Sequence, residues 1–185
     1  MDQNLTVFDA QDNQVAVLAP WALHMDADGN ISIDQDIWES ENDYRGFWVD
    51  GFTFWNYGSK MVFIVNGKNV LIDFARNTGD VDSLRADEVV TAVYDYIAMA
   101  DENYWLIRSG EQWGYIDHDG NEMVLFQDAG GFVGGYALVI EDGEVWLIDE
   151  TFEKLENLGY ADSVATMGEL YSITVGEEKH IYRLN

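Results

Sequence analysis

Short apolar runs alternate with short polar turns along this chain, and the pattern recurs at a steady interval. The clearest copies, each an apolar run, a polar turn and a second apolar run, are residues 25–34, 62–73, 98–108, 138–149 and 173–184. Aligning the second runs makes Ile33, Ile72, Ile107, Ile148 and Arg183 equivalent, with spacings of 39, 35, 41 and 35 residues. Repeats of this size are typical of solenoids, propellers and arrays, whose units bury their apolar faces against their neighbours. The pattern therefore favours a binding surface over a single catalytic pocket.

The recurrence predicts an all-β fold of about five repeated antiparallel units within one domain, residues 1–185. Residues 5–10 and 14–19 read as two strands that precede the first full unit, and the last unit lacks its outer strand. A closed ring of sheets can use its N-terminal strand to complete the last sheet, which removes exposed edges. We therefore expect a small five-bladed propeller closed by the N-terminal strands, with an open β-repeat array as the alternative.

Two local patterns sharpen this prediction. Asn66-Gly67 is a strong two-residue turn signal, so residues 61–65 and 69–74 should form a hairpin. Residues 89–99 could form a strand or the end of a short helix, and valine and tyrosine favour the strand.

The charge balance points to the kind of partner. The chain has 35 acidic and 9 basic residues, a formal net charge of −26, far more than solubility requires. Nucleic acids and anionic membranes are disfavoured as direct partners, because binding to them relies on lysine and arginine. A strongly basic protein fits the charge, and a highly solvated surface of the halophilic kind is the other explanation. The chain has no cysteine, and residues 1–12 resemble neither a signal peptide nor a membrane span, so we expect a cytoplasmic protein.

Residues 111–122 and 134–149 resemble the bacterial WG (KWG) repeat. Residues 113–117 (WGYID), followed by the Asp119-Gly120 turn, match the core signature of that family. Residues 134–139 resemble the segment that precedes the signature, and residues 143–149 (GEVWLID) keep part of it but have Leu147 in place of glycine. The family usually has lysine at the turns, where this chain has acids. The resemblance implies an extended β-repeat scaffold for interactions, without catalytic residues, and an open WG-type array is the alternative fold.

The candidates for site chemistry are few. Asp26, Asp28 and Asn30 have the spacing of a calcium loop, but Gly29 and Ile37 occupy the fourth and twelfth positions, so the EF-hand pattern fails. The Asp-x-Asp-Gly pattern of residues 117–120 is an ordinary turn signal. The three histidines lie in different units, and no nucleophile or phosphate-loop motif occurs. We predict no catalytic residues, no metal and no cofactor.

The partner-binding prediction rests on an acidic stretch followed by an aromatic one. The acids could form an anionic rim around an aromatic anchor, which would suit a groove rich in lysine and arginine. The predicted partner-binding residues are Asp26, Asp28, Asp34, Asp36, Glu39, Glu41, Asp43, Trp48, Asp50 and Trp55.

These observations predict a non-enzymatic, acidic protein-interaction module. The specific hypothesis is a nucleic-acid-mimicking inhibitor that occupies the basic groove of a nuclease or another nucleic-acid-binding protein, as anti-CRISPR and other phage anti-defence proteins do. The alternative is a ligand-binding repeat module, either lectin-like or a scaffold, with aromatic pockets between its units.

Overall fold

The computed structural model of the chain describes residues 5–8, 14–18, 23–25, 31–33, 49–65, 67–76 and 89–183. Side chains are described for residues 57–64, 67–76 and 89–183. The chain divides into two compact units, Met1–Asp95 and Tyr96–Asn185.

Every strand pairing among the described residues of the first unit is antiparallel and joins strands that follow each other in the sequence. β1 pairs with β2, β3 pairs with β4, and the remaining strands form a four-stranded sheet in the order β5-β6-β7-β8. The strands are β1 Leu5–Phe8, β2 Gln14–Leu18, β3 Leu23–Met25, β4 Ile31–Ile33, β5 Val49–Tyr57, β6 Lys60–Val65, β7 Lys68–Asp73 and β8 Val90–Tyr94.

The described part of the second unit has two more four-stranded sheets of this kind and a three-stranded one. Its sheets have the orders β9-β10-β11-β12, β13-β14-β15-β16 and β17-β18-β19, again antiparallel and sequential. The strands are β9 Tyr96–Met99, β10 Tyr104–Ser109, β11 Gln112–Asp117, β12 Glu122–Phe126, β13 Asp128–Ala129, β14 Tyr136–Glu141, β15 Glu144–Asp149, β16 Lys154–Tyr160, β17 Ser163–Met167, β18 Leu170–Val175 and β19 Glu178–Tyr182.

Two-residue turns close the hairpin formed by the second and third strands of each sheet in this unit. Asp142 (φ 53°) and Gly143 (φ 78°) both adopt positive φ, and Gly110 and Gly176 do so in the other two turns. Positive φ at these positions matches the right-handed twist of the flanking strands, which is why short hairpins use glycine and Asp-Gly there. The turn chemistry therefore fixes the register of each pair.

Aromatic packing joins neighbouring sheets in the second unit. The Tyr115 ring centroid lies 5.0 Å from that of Phe132 and 5.5 Å from that of Phe152. The Tyr115 hydroxyl donates to the Gly130 carbonyl oxygen at 2.6 Å, and burial raises the pKa of Tyr115 well above its usual value. The Tyr171 hydroxyl lies 2.6 Å from the Tyr136 carbonyl oxygen, and burial raises the pKa of Tyr171 to about 12.

The first strands of the three sheets lie side by side and point the same way. The Asp128 carboxylate of β13 accepts a hydrogen bond from the amide of Val164 in β17. Three residues later, the Gly131 carbonyl oxygen accepts one from the hydroxyl of Thr166, two residues after Val164. The two strands therefore run in one direction. The Phe132 amide, beyond the end of β13, donates to the carbonyl oxygen of Ala100, beyond the end of β9. The three sheets consequently have their equivalent turns at the same end.

The structure confirms the all-β prediction and its repeated antiparallel units. The hairpin around Asn66-Gly67 is confirmed as β6 and β7. Within residues 89–99, strands β8 (Val90–Tyr94) and β9 (Tyr96–Met99) confirm the preference for strand, and Val89 alone is helical. The alignment of the third repeat is wrong. Ile107 lies in β10, a second strand, whereas Ile72 and Ile148 lie in third strands, so Ile116 of β11 is their equivalent.

Closure by the N-terminal strands is not seen among the described strands. β1 pairs with β2, and β19 pairs with β18 alone. The described sheets are open, and the alternative of an open array fits them. The propeller stays a prediction.

Candidate functional site

The predicted acidic rim cannot be located on the structure. Asp50 and Trp55 lie in β5, and only the backbone of these two residues is described. The other predicted residues lie outside the described residues: Asp26, Asp28, Asp34, Asp36, Glu39, Glu41, Asp43 and Trp48. Partner binding by this stretch therefore stays a prediction.

The carboxylates at the ends of three third strands stabilise the turns that follow those strands. Asp73, Asp117 and Asp149 end β7, β11 and β15, and each accepts the amide of the residue two positions later. The Asp117 carboxylate accepts two further bonds from Asn121, at 2.8 Å each. These are Asx turns, in which the side chain replaces a backbone acceptor. The interpretation of residues 117–120 as turn chemistry is confirmed.

Hydrogen bonding shifts the pKa of these carboxyl groups downward. For Asp149, bonds from the Thr151 hydroxyl and from the backbone outweigh desolvation and lower the pKa. For Asp117, desolvation acts to raise the pKa, but the bonds from Asn121 and Asp119 outweigh it and the pKa is lowered. The charged form is thus the one that holds each turn.

Several other exposed acids of the second unit lie in or beside its hairpin turns. We call the end of the sheets where the turns β10–β11, β14–β15 and β18–β19 lie the hairpin end. The exposed acids in or beside these turns are Glu111, Asp142, Glu177 and Glu178. None of them accepts a bond that holds its own turn, unlike Asp117 and Asp149, so their charge is available to a partner.

A cavity of about 560 Å³ lies at the hairpin end, between the first strands of the three sheets. It is lined from β9 by Tyr96, from the start of β11 by Trp113, from the start of β13 by Asp128 and from the residues around β17 by Asp162 and Thr166. Three sheets therefore contribute to one concave site, which is where ligand pockets usually form.

Asp128 is the half-buried carboxylate of this cavity. Its two oxygens accept the amides of Val164 at 2.8 Å and of Ala129 at 3.0 Å. Desolvation by burial nevertheless raises its pKa above the usual value, since it outweighs these two bonds. Within the described residues no cationic side chain pairs with Asp128. The oxygens keep further lone pairs for a donor from a ligand.

Aromatic residues also line the cavity. The Tyr96 and Trp113 ring centroids are 5.4 Å apart at an angle of 60°. The Arg108 guanidinium lies over the Trp113 ring, 5.6 Å from its centroid, a cation–π arrangement. The cavity thus joins an electron-rich aromatic wall to a carboxylate.

The cavity residues were missed at the sequence level. Asp128 follows an ordinary strand, and β13 is only two residues long, so no periodic pattern marks it. The contributions come from three separate sheets, and only the arrangement of those sheets brings them together. Trp113 alone carried a signal, as part of the motif that resembles the WG repeat.

Metal chemistry finds no support among the described residues, where no three His, Cys, Asp or Glu side chains are grouped to hold an ion. In the same part of the chain, no helix has the length and apolar character needed to cross a membrane.

No family model matches the chain, and no curated protein matches it. One similar solved structure, "KlHsv2 with loop 6CD replaced by a Gly-Ser linker", aligns with a TM-score of 0.47 and 8% sequence identity. The alignment covers 98% of this chain and 63% of that one.

Proposed function

We propose that this protein is a non-enzymatic interaction module that binds a basic protein. The observation that carries the proposal is the hairpin end of the second unit, where acids that hold no turn project from consecutive sheets. A surface of this kind attracts a cationic partner over distances near the Debye length, about 8–10 Å at moderate salt. It raises the rate of encounter and rejects acidic competitors.

The charge of the second unit has little internal compensation. Residues 96–185 contain 18 acidic and four basic residues. Of the four cations, Lys154 pairs with Glu141 beside the β14–β15 turn, and Arg183 pairs with Glu169. Arg108 and Lys179 lie two residues from the other two hairpin turns, so the 18 acids still far outnumber the cations. The excess negative charge therefore faces solvent or a partner.

The specific form of the proposal is mimicry of nucleic acid. Carboxylates on consecutive turns would stand in for phosphates in the basic groove of a nuclease or another nucleic-acid-binding protein. Small, acidic, cysteine-free inhibitors of phage origin, including anti-CRISPR proteins, share this composition. The proposal includes neither catalysis nor direct binding to nucleic acid or a membrane. The cytoplasm would be the compartment that brings such an inhibitor to its target.

We also propose that the sheets are blades of a small propeller. The support is the repeated sequential sheet and the side-by-side, co-directional first strands of the second unit. Since the chain has no cysteine, a single engineered pair tests closure. Thr6→Cys with Ile181→Cys should form a disulfide on mild oxidation if β1 completes the sheet of β19. An open array would leave both thiols free.

Charge variants at the two ends of the sheets test the binding proposal. The hairpin-end variant combines Glu111→Gln, Asp142→Asn and Glu177→Gln. The matched control removes the same charge from exposed acids at the opposite end, by Glu102→Gln, Glu122→Gln and Glu150→Gln. We expect capture of basic nucleases and polymerases by the unaltered protein, weakened by rising salt and by the hairpin-end variant much more than by the control. The proposal is contradicted if capture does not change with ionic strength, or if no basic protein is captured.

A further inference from the structure

We propose that the cavity at the hairpin end of the second unit binds a cationic side chain, an arginine guanidinium or a lysine ammonium, of the basic partner. This inference rests on the proposed function and assigns the cavity a role within it: the acidic turns attract the partner, and the cavity takes one anchoring residue.

The walls of the cavity have the composition that recognises such a cation. The Tyr96 and Trp113 rings offer electron-rich faces, and Asp128 and Asp162 offer carboxylates. Aromatic rings together with acids bind guanidinium and ammonium groups because the ring quadrupole and the carboxylate charge act in the same direction. No lysine or arginine is among the described residues that line the cavity, but Arg108 already lies over the Trp113 ring. An incoming cation therefore shares that ring with Arg108 and meets Asp128, Asp162 and Tyr96 without another cation on the walls.

The surroundings of the Asp128 carboxylate also favour binding of a cation. Its two backbone hydrogen bonds hold the carboxylate in place without supplying a positive charge. A partly desolvated carboxylate without a counter-ion gains more from an arriving cation than an exposed carboxylate does, because solvent screens the pair less. The position is also fixed before binding, which lowers the entropy lost on association.

The chain itself shows that its tryptophans accept cations. Arg108 lies over Trp113, and the Lys154 ammonium lies 4.9 Å from the Trp146 ring centroid. Both rings have a cation of the chain over them, but Trp146 does not line the cavity, so Trp146 serves as a matched control for Trp113. The volume of about 560 Å³ admits a long side chain with its flanking backbone, within the usual range for ligand pockets.

A direct test uses three short peptides: acetyl-Gly-Arg-Gly-amide, its lysine counterpart and its citrulline counterpart. Citrulline has nearly the shape of arginine but no charge. NMR would follow the indole N–H resonance of Trp113, assigned with Trp113→Phe. We expect saturable shifts with arginine and lysine, and binding of citrulline weaker by about tenfold or more, the size of effect a partly desolvated cation–π and ion pair gives.

Two variants locate the site. Asp162→Asn should weaken arginine binding several-fold, and Trp113→Phe should weaken it while Trp146→Phe does not. Asp128→Asn is less suitable alone, because one amide oxygen cannot replace both carboxylate oxygens that bond Val164 and Ala129. The citrulline comparison needs no variant, so the test holds even if a substitution disturbs folding.

Equal binding of arginine and citrulline overturns the inference, as does an effect of Trp146→Phe as large as that of Trp113→Phe. Saturable binding of neutral methyl glycosides at Trp113 with none of the cationic peptides also overturns it, in favour of a sugar site. The experiments test the role of the cavity and the proposed function separately. Salt-sensitive capture of nucleases without peptide binding rejects the cavity alone, and peptide binding without any capture rejects the proposed function alone.

Discussion

The Tyr115 hydroxyl donates a 2.6 Å hydrogen bond to the Gly130 carbonyl oxygen, and so ties β11 to the segment that follows β13 in the next sheet. The amide of Gly130 donates to the Leu138 carbonyl oxygen at 2.9 Å. A buried side chain and a buried backbone group thus satisfy each other at the junction of two sheets, beside the cavity that Gly130 helps to line.

Tyr115→Phe should lower the free energy of unfolding by about 1–2 kcal/mol, because the buried Gly130 carbonyl loses its partner. Urea unfolding followed by tryptophan fluorescence measures the change. The control is Tyr136→Phe, since the Tyr136 side chain is 42% exposed and only its backbone takes part in the described bonds. Equal effects of the two variants would contradict the role assigned to the Tyr115 hydroxyl.

Gly114→Ala should lower the free energy of unfolding far more than Tyr115→Phe. A Cβ at Gly114 would lie 2.1 Å from the Val124 carbonyl oxygen and 3.0 Å from the Leu125 Cα, so β12 would have to move away from β11. We expect a loss of about 3 kcal/mol or more, as for other substitutions that force backbone apart. Gly131→Ala is the comparison, because its Cβ would lie 3.3 Å from the nearest neighbouring atom, the Ala100 carbonyl oxygen. A well-folded Gly114→Ala protein would show that the two strands are not so close.

Acid should weaken the turn made by Asp117. The folded state lowers the pKa of this carboxyl below its ordinary 3.8, so the stability it contributes is present above that value and is lost as the pH falls through the folded pKa. The difference in unfolding free energy between the unaltered protein and Asp117→Asn should therefore be largest near pH 6 and shrink toward pH 3. Urea unfolding across this range measures it. A difference that does not change with pH would contradict the assignment.

The pKa of Asp128 should be shifted in the opposite direction from that of Asp117. Burial raises its folded pKa above 3.8, so the charged form costs stability at neutral pH and protonation relieves that cost as the pH falls through the raised value. Carboxyl-carbon NMR should show Asp128 titrating at a higher pH than Asp117 and Asp149. The reverse order would contradict the burial of this carboxylate.

The sequence predicted the hairpins well, because turn dipeptides such as Asn66-Gly67 restrict the backbone locally. It failed at the third repeat, where β9, β10 and β11 are three consecutive apolar runs and nothing local tells which two form the middle hairpin. Residues 74–88 lengthen the interval, so the third-strand residues Asp73, Asp117 and Asp149 are spaced by 44 and 32 residues instead of a constant period. The cavity could not be predicted, because it depends on how three sheets stand beside one another.

The last described strand gives the protein a way to avoid polymerising. β19 bonds only β18 among the strands that the structure describes, and all five of its residues are exposed, so its outer backbone groups could recruit a strand from another copy. Lys179 on this strand and Arg183 just beyond it are two of the few cations in the chain. Arg183 already pairs with Glu169, so Lys179 is the cation that opposes docking of two such edges, and its substitution by a neutral residue should promote fibre growth.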